Sequence, residues 1–80
     1  MISLQLQSDR FMAILRSLEG GFPMTANDVM DGCANGGLFV PSIHVRHALR
    51  KMVSAHLVSE TEFVRGMFYS LAPDGRELLE

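Results

Sequence analysis

One cysteine, no tryptophan and a single tyrosine stand among the 80 residues of this chain, and each scarcity narrows what the protein can be. A lone thiol, Cys33, cannot form an internal disulfide, so stability has to come from packing or from a partner, in agreement with a reducing compartment. No apolar run approaches the roughly 20 residues that cross a bilayer, and the opening MISLQLQSDR lacks the basic start and unbroken apolar stretch of a signal peptide. A cytoplasmic protein with no membrane partner is expected. Catalytic patterning is missing too. No spacing assembles a nucleophile, a base and an orienting group, and the glycine-rich ANGG lacks the lysine and hydroxyl of a phosphate-binding loop. An enzyme is not expected, nor is a cofactor.

Charge is sparse and unevenly placed. Seven Lys and Arg against nine Asp and Glu give a net charge of −2, which argues against a general polyanion binder because phosphate attraction is the main sequence-independent source of nucleic-acid affinity. The average conceals a gap. Every acid lies at Asp9 to Asp31 or Glu60 to Glu80, whereas residues 32 to 59 hold no acid and carry Arg46, Arg50 and Lys51. The middle of the chain is locally basic.

What is present suits one small domain over residues 1–80. Hydrophobic residues make up 48% of the chain and charged ones only 20%, with six methionines. A surface this apolar on a short chain favours self-association, and a homodimer is a possible state. In SDRFMAILRSLE, residues 8–19, Phe11, Ile14, Leu15 and Leu18 recur at helical spacing, with Ser8 placed to cap the first turn and Gly20-Gly21 to end the helix. Ile2, Leu4 and Leu6 alternate as in a strand, yet Leu4 also continues the helical stripe, so the first seven residues are open between the two.

Phe22-Pro23-Met24 is extended by its proline, and Thr25-Ala26-Asn27-Asp28 carries a capping signal. Helix two follows, with Ala26, Val29, Met30 and Cys33 on one side, until Asn35-Gly36-Gly37 stops it. Cys33 thus reads as a small buried residue. Helix three spans 41–55. At about 100° per residue Val45, Ala48, Leu49 and Met52 share a face, while Ile43, Arg46, His47, Arg50 and Ser54 project the other way, flanked by His44 and Lys51. Leu57 to Phe63 and Met67 to Leu71 read as strands joined at Arg65-Gly66, and Pro73-Asp74-Gly75 opens a brief terminal helix.

Three helices and a two-stranded hairpin, in that order, resemble a winged helix-turn-helix, a mainly helical α+β fold. TANDVMD resembles the first helix of the helix-turn-helix pair, VRHALRKMVSAHLVSE the recognition helix entering the wing, and MFYSLAPDGRELL the second wing strand and following turn of MarR-, PadR- and ArsR-like transcription regulators. The match covers roughly residues 9–80. Two features differ from the usual pattern: the connection from Gly32 to Val40 is longer, and His56 stands where these proteins commonly have glycine.

The resemblance implies double-stranded DNA as partner, with helix three in the major groove and the hairpin as wing. It places Ser42, His44, Arg46 and His47 nearest the bases and Arg50, Lys51 and wing-tip Arg65 near phosphates, while Ile43 suits a thymine methyl. An ordinary solvated helix would also show such a basic face; the fold and the acid-free middle favour DNA. His44 and His47 have a spacing that metal ligands can have, but no second ligand pair or CxxC accompanies them, so no metal site is assigned. Apolar residues left over after packing support an alternative, a winged-helix module that binds protein instead of DNA. Its interface would be Leu38 and Phe39 in the connection with Phe63 and Phe68 in the wing.

Overall fold

The computed structural model describes residues 2–79, with side chains from residue 9 onward. Four helices and a two-stranded sheet follow one another as α1 (Ile2–Ser17), α2 (Ala26–Asn35), α3 (Ser42–Ser54), β1 (Val58–Phe63), β2 (Gly66–Leu71) and α4 (Pro73–Leu78). The expected order is present, and the architecture is a winged helix-turn-helix. The open choice at the N-terminus falls to helix. Once a helix is nucleated, each added residue gains a backbone hydrogen bond, so helix prevails over an isolated strand from Ile2 onward. Ser8 accordingly lies inside α1 and does not start it, a correction to the sequence reading.

α2 begins as its capping signal specifies. The Asp28 backbone N–H donates to Thr25 Oγ1 at 3.1 Å, and the Thr25 backbone N–H donates to Asp28 Oδ2 at 3.1 Å. Its far end closes with two reverse bonds, from Gly37 N–H to the Ala34 carbonyl and from Leu38 N–H to the Cys33 carbonyl, both 2.9 Å. Such a closure requires a left-handed residue, and Gly37 supplies it at φ 93°. α2 ends at Asn35, as the Asn35-Gly36-Gly37 stop specifies, so the connection is residues 36–41 and the first part of the span from Gly32 to Val40 is helix. Along it Val40 is fully buried and Leu38 packs against the core, while Phe39 faces solvent.

The same closure ends α3, with a residue less suited to it. His56 N–H donates to the Val53 carbonyl at 3.0 Å and Leu57 N–H to the Met52 carbonyl at 2.9 Å. His56 takes the left-handed position at φ 63°, alone among the described non-glycine residues. The motif survives because Leu57 must turn into the body of the domain to begin β1, and its backbone is held there from both sides. Its carbonyl accepts the Ala72 N–H at 3.0 Å, and buried Gly75 approaches so closely that a Cβ there would overlap that oxygen.

The hairpin pairs Val58 with Leu71 through Phe63 with Gly66, so the turn is Val64-Arg65. Gly66, placed in the turn by the sequence reading, is the first residue of β2 and takes φ 127° there. Burial does not alternate along β1: only Val58 is buried and the rest is exposed. The wing projects from the body. Its root is fixed by a bond pair the sequence did not announce, Met24 N–H to the Tyr69 carbonyl and Tyr69 N–H to the Met24 carbonyl, each 2.8 Å. The extended Phe22-Pro23-Met24 segment thus serves as a third, minimal strand beside β2.

One core joins these elements. Ile14, Leu15 and Leu18 of the first helical segment meet Val29 and Cys33 of α2 and Val45, Leu49 and Met52 of α3, with Val40 and Val58 completing the cluster. α1 and α2 approach closely at Gly32, where a Cβ would come within 2.9 Å of Ser17 Oγ. The Ser17 hydroxyl is itself held 2.9 Å from the Ala13 carbonyl and 3.6 Å from Cys33 Sγ.

The strain at the end of α3 gives a measurable expectation. His56→Gly removes the Cβ penalty of a left-handed residue and raises stability by about 1 kcal/mol. A thermal melt should shift upward by roughly 4–8 °C for a domain of this size. An unchanged or lowered midpoint would show that His56 carries no such strain.

Candidate nucleic-acid interface

α3 is amphipathic by period, and the structure turns that period into three surfaces. Val45, Leu49 and Met52 are fully buried. At about 100° per residue the direction opposite them holds Ile43, His47 and Ser54, all exposed, and this line is the crown of the helix. Arg46 and Arg50 stand on one flank and His44 and Lys51 on the other, also exposed. Pro41 precedes the helix without any side-chain cap, and its carbonyl accepts the His44 and Val45 N–H groups at 3.0 and 3.1 Å, which leaves the Ser42 and Ile43 N–H groups at the start of α3 without a capping side chain.

The flanks open into different hollows. On the wing side a groove of about 530 Å³ brings Arg46 and Arg50 together with Arg65 from the hairpin turn and with Thr25 and Asn27 at the start of α2. Glu60 also lines it. On the other side a cleft of about 230 Å³ separates α3 from α1, edged by His44, His47, Lys51 and Arg10 over a floor of Phe11, Ile14, Val40 and Ala48. Beyond both, His47, Arg50, Lys51 and Ser54 line a shallow hollow across the last turns of α3.

Of the residues singled out from sequence, Arg46, Arg50 and Arg65 meet in one groove, although Arg65 is 15 or more positions away along the chain. Ser42 and Ile43 lie at the exposed start of the helix, and Ile43 retains 61% of its surface. His44, His47 and Lys51 gather on the α1 side. Arg10 was not singled out, because nothing in a linear reading connects position 10 with positions 44–51. Its partner is visible only when α1 is laid against α3.

The apolar candidates divide as well. Leu38 packs on the core, whereas Phe39 is 73% exposed. Phe63 meets Phe68 edge to face, with ring centroids 5.1 Å apart. Together with Pro23, the fully exposed Val64 and Arg65 they line a largely apolar face along the wing. Among the described residues no group of three His, Cys, Asp or Glu side chains could hold a metal ion. No described helix is long and apolar enough to cross a membrane.

Comparison with solved structures agrees with this architecture. The chain is similar to Bordetella bronchiseptica BpsR, a protein whose DNA binding is regulated by 6-hydroxynicotinic acid, with a TM-score of 0.75 and 21% sequence identity. The likeness covers 88% of this chain and 48% of BpsR, so this chain spans about half of that protein's length. At this identity it shows the shared fold. The sequence matches no protein-family model and no curated relative.

The division between anchor and exposed arc can be tested by stability alone. Leu49→Ala should cost about 2–5 kcal/mol, the range for a fully buried leucine. Arg46→Ala and Arg50→Ala should each stay within about 0.5 kcal/mol. Urea denaturation reads both, and an arginine variant as damaging as Leu49→Ala would mean that its side chain supports the fold.

Proposed function

We propose that this chain is a DNA-binding module of a transcription regulator, of the winged-helix type found in MarR-, PadR- and ArsR-like proteins. The observation that carries the reading is the convergence of Arg46, Arg50 and Arg65 on one groove beside an unobstructed helix. A B-DNA major groove is about 12 Å wide and admits one α-helix, with a phosphate backbone along each side. α3 fits that description. Its crown, Ile43 and His47, faces the base edges, where Ile43 offers an apolar contact for a thymine methyl. Arg46 and Arg50 reach toward guanine edges or phosphates, and Arg65 brings the wing to the backbone. The uncapped N–H groups of Ser42 and Ile43 add an anion contact at the start of the helix. A cytoplasmic location and a dimeric state belong to the same proposal: two copies would present two such helices to half-sites one turn apart.

Fluorescence anisotropy with mixed-sequence and genomic duplexes over a salt series tests this reading. Wild-type affinity should fall with salt, and Arg46→Ala and Arg50→Ala should each weaken binding several-fold while preserving the thermal melt. Equal binding by wild type and both variants at every salt concentration would refute the role given to α3.

A second reading rests on the wing tip. Phe63, Val64 and Phe68 with Pro23 present apolar surface that a DNA contact does not need, and such surface suits a protein partner or a second copy. On this reading Phe63→Ser abolishes complex formation in gel filtration and pulldown without altering the melt. An unchanged elution profile, with no partner recovered by wild type, counts against it.

A further inference from the structure

The two hollows beside α3 differ in a way the proposed DNA contacts leave unused. The wing-side groove mixes three arginines with Glu60. Among the described residues the α1-side cleft has no acid in its lining: Arg10, His44, His47 and Lys51 stand around an apolar floor. Like charges over low-dielectric walls focus the field and concentrate counter-ions, so this cleft is the purer anion site of the two. Its cations come from two elements that the core holds against each other, and Ile14 and Val40, which line the floor, are fully buried. The position of the cleft is fixed by packing.

We propose that this cleft receives a phosphate of the second DNA strand, with Arg10 of α1 and Lys51 of α3 as its cationic arms. The inference rests on the DNA-binding reading and extends it. A helix seated in the major groove has one backbone on each flank, and the two basic hollows lie on opposite flanks of α3. The wing-side groove with Arg65 takes one strand and the α1-side cleft takes the other. α3 is then clamped from both sides, so its angle in the groove is set by α1 as much as by the wing. His44 edges the same cleft, and its imidazole N–H can donate a hydrogen bond to a phosphate oxygen.

The test compares five single variants of the full chain on one mixed-sequence duplex. Arg10→Ala and Lys51→Ala probe the cleft and Arg65→Ala the wing. Arg16→Ala removes an exposed cation on α1 that lines a different hollow, beside Cys33 and Gly36, and so controls for net charge. Binding is followed over a salt series, and folding is checked by thermal melting. Arg10→Ala, Lys51→Ala and Arg65→Ala should each reduce the slope of log affinity against log salt by about 1, the signature of one lost phosphate contact. Arg16→Ala should leave the slope unchanged, Arg10→Lys should restore it, and duplex addition should shift the backbone amide resonances of Arg10 and Phe11. If Arg65→Ala lowers the slope while Arg10→Ala behaves like wild type or like Arg16→Ala, the cleft assignment is overturned and the DNA-binding reading stands. If the wild-type chain binds no duplex at low salt, both fall. A lowered slope in Arg10→Ala with none in Arg65→Ala supports the cleft and removes the wing from the contact.

Discussion

Burial of one side of α3 is the constraint on which the remaining surfaces depend. Val45, Leu49 and Met52 are fully buried in the cluster they share with α1, α2, Val40 and Val58, and each such side chain is worth about 1.5–3 kcal/mol relative to exposure. With that stripe fixed, the rotation of the helix about its axis is fixed. The crown and both cationic flanks then follow from the 3.6-residue period alone. A turn of α3 by one residue's worth of angle would expose Leu49 or Met52 and carry Arg46 toward the core, which no salt bridge or cap could compensate in a chain this small.

The ends of α3 have to hold that rotation without much local help. Pro41 provides a set φ of −58° but no side-chain cap, and His56 closes the other end in a conformation that glycine adopts more readily. Tertiary restraints take over. The Leu57 carbonyl is engaged by Ala72 and crowded by Gly75, which ties the chain leaving α3 to the start of α4. The Met24–Tyr69 bond pair ties the root of the wing to the segment before α2. A hairpin of two strands is marginal by itself, so the position of Arg65 relative to Arg46 and Arg50 depends on this minimal third strand.

The parts legible in the sequence were those with a local cause. Helical spacing located α1, α2 and α3 and assigned the buried residues of each; the Thr25–Asp28 pairing and the Gly36-Gly37 stop marked both ends of α2. Local signals misled where a competing local option was cheaper: Ser8 is a good cap, but extending α1 gains a hydrogen bond per residue, and the turn moved one residue ahead of Gly66 because Val64-Arg65 fills it with Gly66 relieving the strand that follows. The Met24–Tyr69 pairing and the meeting of Arg10 with His44, His47 and Lys51 had no local cause at all. Both join positions more than 30 residues apart in sequence, and only the packed core brings them together. For the same reason the cationic residues of α3 were readable as one exposed face, while their division between two hollows was not.

The acidic total and the basic helix are compatible because range, not sum, decides the field that a ligand meets. At physiological salt the screening length is about 8 Å, short against a molecule of 40 × 24 × 20 Å, so carboxylates on remote faces contribute little at α3. The acids that matter are the near ones. Asp28 follows Asn27, which lines the wing-side groove, but its carboxylate accepts the Thr25 backbone N–H and lies at the positive end of α2, where its charge is partly offset. Glu60 of exposed β1 lines the same groove, away from any helix N-terminus. On the proposed reading it opposes phosphate on the wing side, and among the described residues it has no counterpart in the lining of the α1-side cleft. On the proposed DNA-binding reading, a carboxylate among three arginines also repels misplaced phosphates, which suits the wing-side groove to selecting where the backbone lies and the α1-side cleft to holding it.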